Sequence, residues 1–145
     1  MEILNRKARY NYFIEEEYEC GISLKGTEVK SIRKGTANIK DSYAIVKNNE
    51  IILLNMYISH YNKGNIFNHE ETRNRRLLLH KKEIKKISSK IELEGYTLIP
   101  LKIYFVRNKV KVLLGLCKGK KTYDKRETIK ARDLKRDIEK TIKER

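Results

Sequence analysis

Apolar and polar positions alternate from Tyr12 onward. Tyr12, Ile14, Tyr18, Cys20, Ile22 and Leu24 share one parity, and only Glu16 interrupts them. A period of two predicts a long strand over 11–24 with one buried face, and Gly21 inside it allows a bend or bulge. Gly26-Thr27 then opens a short helix, with Thr27 as N-cap, Glu28 in the first turn and Gly35 ending it in a left-handed conformation. Val29 and Ile32 would face the core, and Lys30, Arg33 and Lys34 the outside. Residues 42–47 and 50–56 are apolar and β-rich around Asn48-Asn49, which predicts a tight hairpin. Residues 57–76 lose the pattern. Asn62, Gly64, Asn65, Asn68 and His69 mark an irregular loop that ends in the basic run Arg73, Arg75, Arg76. A loop of that length in a small domain is usually functional or disordered.

His80 to Glu94 reads as a helix with Ile84, Ile87 and Ile91 as its apolar stripe and Gly95 as its stop. Residues 96–107 and 110–117 predict a second hairpin across Asn108-Lys109. Ile99, Leu101, Ile103 and Phe105 would share one face, and Val110, Val112, Leu114 and Leu116 another. Pro100 lacks a ladder donor and places its strand at an edge there. After Cys117 only Ile129, Leu134, Ile138 and Ile142 recur, at four or five residues, a stripe too thin to fold alone. The pattern therefore divides the chain into a body, 1–117, opened by a polar arm (1–9), and a basic tail, 118–145. The tail is expected to be disordered when free and helical on a surface. The fold class is mainly β with short helices (α+β): a small OB-like barrel with two to three helices, an architecture that commonly binds nucleic acid.

Charge sharpens this picture. The 145 residues hold 34 Lys and Arg against 19 Asp and Glu, a formal net charge of +15. The excess sits in two blocks: residues 60–90 carry nine basic side chains against three acidic, and 118–145 carry twelve against six. Two such blocks point to a polyanionic partner, because Lys and Arg release counterions from a nucleic acid on binding. The longest apolar run, Ile51 to Leu54, is far too short to span a bilayer. Met1 to Tyr10 has no apolar leader core, so a cytoplasmic location is expected. Cys20 and Cys117 fall within strand patterns and read as small buried apolar residues. No catalytic constellation is present. His60, His69 and His80 lack metal-ligand spacing, and Gly115 to Lys121 lacks that of a phosphate loop. The acidic run Glu15-Glu16-Glu17-Glu19 does not converge, since alternate members of a strand point to opposite faces. Glu19 remains able to accept a hydrogen bond from an RNA 2′-OH or a base amine. Of nine Tyr and three Phe, most lie on strands and read as core. Tyr123, between Lys121 and Lys125, is the exception and suits base stacking. No enzyme and no cofactor are expected, and the charge by itself fits an RNA-binding adaptor and a ribosomal or other rRNA-binding structural protein equally well.

Four stretches carry a resemblance: NRKARYNYFIEEEYECGISLKGTEVKSIRKGTANIKDSYA (5–44), GNIFNHEETRNRRLLLHKKEI (64–84), EGYTLIPLKIYF (94–105) and GLCKGKKTYDKRETIKARD (115–133). In order and spacing they resemble the SsrA-binding protein (small protein B) family over nearly all the chain. The resemblance implies a bacterial, non-enzymatic OB-like barrel. Such a protein binds the tRNA-like part of transfer-messenger RNA and brings it to ribosomes stalled on messages without a stop codon, where the nascent chain is tagged. The partners so implied are that RNA, elongation factor Tu with GTP on the same RNA, and the 16S rRNA of the small subunit at the decoding centre and messenger channel. No membrane is involved, and the protein is expected to be a monomer.

By the same resemblance the RNA-binding face matches Glu19, Leu78 and Lys111, flanked by Asn5, Lys7, Arg33, Asn38, Arg73 and Arg75. Lys111 has the opposite parity from Val110 and Val112 and should project off the core. Leu78 stands between Leu77 and Leu79, so its pattern alone fits core equally well. The ribosome-binding tail matches Gly119, Lys120, Lys121, Tyr123, Asp124, Lys125, Arg126, Lys130 and Arg132. The chain departs from the family in two places: many members carry His where Tyr123 stands, and Glu70-Glu71-Thr72 lacks a proline often found there.

Overall fold

The structure, a computed structural model, describes residues 1–61, 68–121 and 126. The centre of the expected loop (62–67) and most of the expected tail, including Tyr123, Asp124, Lys125, Lys130 and Arg132, lie outside the described residues. The described part is mainly β with three helices. In chain order the elements are β1 (Glu2–Leu4), α1 (Ala8–Asn11), β2 (Tyr12–Ile22), α2 (Gly26–Arg33), β3 (Ala37–Asn38), β4 (Tyr43–Lys47), β5 (Glu50–Leu54), β6 (Tyr57–Ile58), β7 (Arg75–Leu78), α3 (Lys81–Glu94), β8 (Thr97–Val106) and β9 (Lys109–Gly119). The main sheet runs β1-β8-β4-β5-β7-β2-β9, and β9 pairs back onto β8. Six antiparallel strands thus close into a ring, with β1 joined to it through β8. Closure leaves no unpaired edge along β9.

Local chemistry explains most elements. Asn48 and Asn49 take φ of 51° and 61°, the left-handed pair that a two-residue hairpin between β4 and β5 requires. The second hairpin turns on Arg107 and Asn108, with φ of 50° and 66°, and not on Asn108-Lys109. Lys109 already pairs with Val106. The N-cap of α2 is Lys25 in place of Thr27: its backbone N–H donates to Glu28 Oε1 at 2.8 Å, closing the first turn. The Thr27 hydroxyl instead meets His69 Nδ1 at 2.9 Å. Gly95, at φ 71°, stops α3 by donating to Ile91 O at 3.1 Å.

Two bulges reassign the faces of the long strands. Between Ile14 and Glu16 the register of β2 against β9 slips at Glu15. Tyr18, Cys20 and Ile22 then point into the barrel, while Tyr12 and Ile14 turn to the outer face. A second slip lies between Pro100 and Lys102 on β8. Ile99 and Leu101 are therefore outside, with Ala8 and Cys117, whereas Leu98, Ile103 and Phe105 pack inside. The face expected for Ile99, Leu101, Ile103 and Phe105 is split in two. Along β9, Val110, Val112, Leu114 and Leu116 keep one inward parity, as the alternation predicts. Ile32 of α2 and Ile84 and Ile87 of α3 close the same core.

The expected polar arm is not free: Glu2, Ile3 and Leu4 pair with Tyr104, Ile103 and Lys102. The far edge of β8 passes from β4, paired at Leu98, to β1, paired from Lys102 on. Pro100 lies in the gap between them, where no ladder donor is needed. The backbone N–H of Asn5 donates to Leu101 O at 2.9 Å and its Nδ2 to Pro100 O at 3.0 Å. At the other end of the body β9 continues to Gly119, and the Lys120 N–H donates to Asn11 O at 2.8 Å. The ladder thus runs past the break read at Cys117. Both cysteines are buried, and burial raises their thiols, Cys20 to about 12 and Cys117 to about 11, which suits inert core residues.

Candidate nucleic-acid interface

Strand β7, which the sequence hides inside an expected loop, builds the centre of the site. Its four residues alternate: Arg75 and Leu77 point inward, Arg76 and Leu78 outward. Leu78 is 46% exposed beside a fully packed Leu77. Gly21 of β2 lies opposite Leu78 on one side and opposite Lys111 of β9 on the other. A Cβ on Gly21 would come within 3.2 Å of the Leu78 Cβ, so the glycine lets the leucine lie flat across the strand. Lys111 in turn pairs with Tyr104 of β8, and Tyr104 with Glu2 of β1. One row thus crosses five strands. Exposed Glu19 stands beside it on β2, and its Oε2 accepts a 2.6 Å hydrogen bond from the Tyr104 hydroxyl. A shallow cleft of about 350 Å³ opens among Glu19, Gly21, Leu78, Glu83 and Lys111. The three residues expected at the centre of the face are therefore neighbours. A carboxylate acceptor, an apolar plate and a cation stand within one span of sheet, a set that can meet a 2′-OH or base amine, a base or ribose, and a phosphate.

The flanking residues are more scattered. Arg33 is exposed on α2, its guanidinium 5.1 Å from the centroid of the Phe105 ring. Arg73 is half-buried at the entry to β7 and donates to Glu28 Oε1 and to Ser23 O at 3.2 Å. Asn38 is exposed on β3, and its Oδ1 accepts from the Lys40 N–H at 2.7 Å. Lys7 is exposed beside α1 and lines a separate cleft with Asn5 and Lys40. Asn5 itself is committed to the backbone of β8.

Arg75 differs from the other flanking residues, because its side chain has no exposed surface. Its Nε donates to Glu28 Oε2 at 2.5 Å, and its remaining nitrogens serve the carbonyls of Met56, Glu70 and Glu71. With no donor facing solvent, it is built into the fold. Glu28 is equally buried and also bonds Arg73. Burial pushes its carboxyl up, but the hydrogen bonds from Arg73, the Lys25 backbone and Arg75 outweigh this and hold it below the usual carboxylate range. Burial pulls the Arg75 guanidinium down, although an arginine keeps its proton at any pH where a protein folds. Parity with Leu77 was the signal in the sequence, legible only once 75–78 is known to be a strand.

At the other end of β2 and β9 the expected tail residues begin. Gly119, Lys121 and Arg126 are exposed, and Lys120 Nζ lies 4.9 Å from the centroid of the Phe13 ring. Phe13 is 47% exposed. Lys81, Lys82, Lys85 and Lys86 line the outer side of α3, so the mid-chain basic block is solvent-facing there. Among the described residues no group of His, Cys, Asp or Glu is arranged to hold a metal ion, and no helix is long and apolar enough to cross a membrane.

A closed antiparallel barrel with a mixed polar, apolar and cationic row on its outer wall defines an OB-like RNA-binding domain. Comparison with known proteins gives the family. The description "SmpB protein" matches residues 2–144. The SsrA-binding protein of Caldanaerobacter subterraneus subsp. tengcongensis is 60% identical over 97% of this chain and 89% of its own length. That of Trichodesmium erythraeum is 58% identical over 97% and 90%. A solved chain described as "tmRNA-SmpB: a journey to the center of the bacterial ribosome" superposes with a TM-score of 0.69 at 50% identity, over 83% of this chain and 85% of that one. The chain belongs to the SmpB protein family, the non-enzymatic RNA-binding proteins that act with transfer-messenger RNA in trans-translation, the rescue of stalled ribosomes.

Proposed function

We propose that this chain grips the tRNA-like domain of transfer-messenger RNA through Glu19, Leu78 and Lys111, and meets the ribosome through the basic segment that begins at Gly119. Elongation factor Tu with GTP travels on the same RNA. The tail residues, Lys120 and Lys121 followed by Tyr123 to Arg126 and by Lys130 and Arg132, face the 16S rRNA of the decoding centre and messenger channel. The protein works in the cytoplasm as a monomer. The observation that carries the reading is the juxtaposition of Glu19, Leu78 and Lys111, which lie on three different strands yet fall beside one outward row. The flanking Arg33, Arg73, Lys7 and Asn38 add charge and polar contacts farther out, with Arg33 lying over Phe105 of β8.

Glu19→Ala, Leu78→Asp and Lys111→Glu should each weaken binding of the isolated tRNA-like RNA while far-UV circular dichroism stays native. Leu78→Asp is safe for the fold because the side chain is outside the core. Lys111→Glu should also flatten the plot of log affinity against log salt by about one unit, the signature of a lost phosphate contact. Wild-type affinity of Lys111→Glu at matched salt would place the RNA on another face.

A further inference from the structure

We propose that Tyr104 is a positioning residue of the RNA-binding face, whose hydroxyl fixes the Glu19 carboxylate so that its second oxygen is presented to a hydrogen-bond donor of the RNA. The inference rests on the reading of Glu19, Leu78 and Lys111 as that face. Tyr104 points outward from β8 between the inward Ile103 and Phe105. It stands opposite Lys111 on β9 and reaches across that strand to donate to Glu19 Oε2 at 2.6 Å. Its ring is itself braced: Lys102 Nζ lies 5.0 Å from the ring centroid and 3.4 Å from Glu2 Oε1 on β1. Burial, and then the hydrogen bond to Glu19, push the phenol upward, so it stays a donor across the working range of pH.

The chemistry explains why such a brace is useful. A carboxylate accepts hydrogen bonds at both oxygens and donates none. On an exposed strand residue it would sample several rotamers and repel nearby phosphates. Tied at Oε2, it offers Oε1 in one direction, toward a 2′-OH or a base amino group. The contact then adds selectivity for one RNA shape, while the lysines supply affinity that is indifferent to sequence. Tyr104 takes no part in neutralising phosphate, so its loss should leave the salt dependence unchanged.

The test is a double-mutant cycle on the full chain, using the tRNA-like domain as probe and a hairpin RNA of equal length as control. Tyr104→Phe keeps the ring under Lys102 and removes only the hydroxyl. It should weaken the tRNA-like RNA about tenfold, on the scale of one hydrogen bond to a charged group, with the salt slope, control RNA binding and melting temperature unchanged. In a Glu19→Ala background the same change should have no further effect. Unaltered binding by Tyr104→Phe, when Glu19→Ala is itself weakened, would overturn the positioning role alone. Equal weakening in both backgrounds would also overturn it, since Tyr104 would then act without Glu19. Normal binding by Glu19→Ala would overturn the face and this inference together.

Discussion

Replacing Glu28 with Ala should cost about 3–5 kcal/mol of stability, the scale seen when one partner of a buried ion pair is removed. Arg75 would be left wholly buried with its charge uncompensated, and Arg73 would lose its main anchor. Domains of this size are stable by only about 5–15 kcal/mol in all, so the variant should be partly unfolded at growth temperature. Its denaturant midpoint, compared with the wild type, measures the loss. Arg75→Leu should also be costly, because it leaves the buried Glu28 Oε2 and the carbonyls of Met56, Glu70 and Glu71 without their donor. The pair also sets an acid limit. The Glu28 carboxyl is held below its usual value in the fold, so its contribution is complete above the unfolded value of about 4.3. It fades as the pH falls through the lower folded value. Wild-type stability should therefore begin to drop below about pH 4, and Glu28→Gln should show a shallower acid limb. Equal acid limbs would mean that other carboxylates govern acid unfolding.

A protein ending at Lys121 should bind the tRNA-like RNA with near-normal affinity and salt slope yet fail to support peptide tagging on ribosomes stalled at a message end. The cut belongs after Lys121 because the β2–β9 ladder runs through Gly119 and the Lys120 N–H. An earlier cut would damage the barrel and blur the result. Beyond it the chain is dominated by charge: 15 of the 24 residues from 122 on are Lys, Arg, Asp or Glu. A composition this charged offers little apolar surface to set against about 1–2 kcal/mol of backbone entropy per ordered residue. Phosphates lining a narrow channel could supply that energy through its cations. Changing Asp124, Lys125 and Arg126 together to Ala should give the same separation. The paired readout is gel-shift binding and tagging in a reconstituted stalled-translation reaction. Normal tagging by the shortened protein would refute the division of labour, as would loss of both activities together.

The hairpins and α3 were legible because their signals are local: paired asparagines at positive φ, isoleucines at helical spacing and a terminal glycine. Strands β1, β3, β6 and β7 have two to four residues and offer no period to read. The bulges at Glu15 and Leu101 were invisible for a different reason. A bulge is defined by the partner strand, and it inverts inside and outside without altering the alternation along its own strand. That is how Tyr12 and Ile14 kept the parity of Cys20 yet left the barrel. For the site, the resemblance put Arg75 among the flanking residues of the face, whereas strand parity puts it in the interior with Leu77. Leu78 follows from the same four residues. Glu19 and Lys111 were placed by resemblance, but Tyr104 could not be, because its link to Glu19 joins residues 85 apart in sequence.

The ring has a temporal side. β9 walls both β2 and β8, and among the described strands it is the last to leave the ribosome that synthesises this chain. Until residue 119 has emerged, β2 lacks one neighbour along most of its length and the interior holding Cys20 stays open. The same strand supplies Lys111 to the RNA-binding row. A nascent chain halted inside β9 thus has neither a sealed core nor a complete grip on RNA. Sealing of the core and completion of the RNA-binding row arrive in one step, ahead of the basic segment that follows.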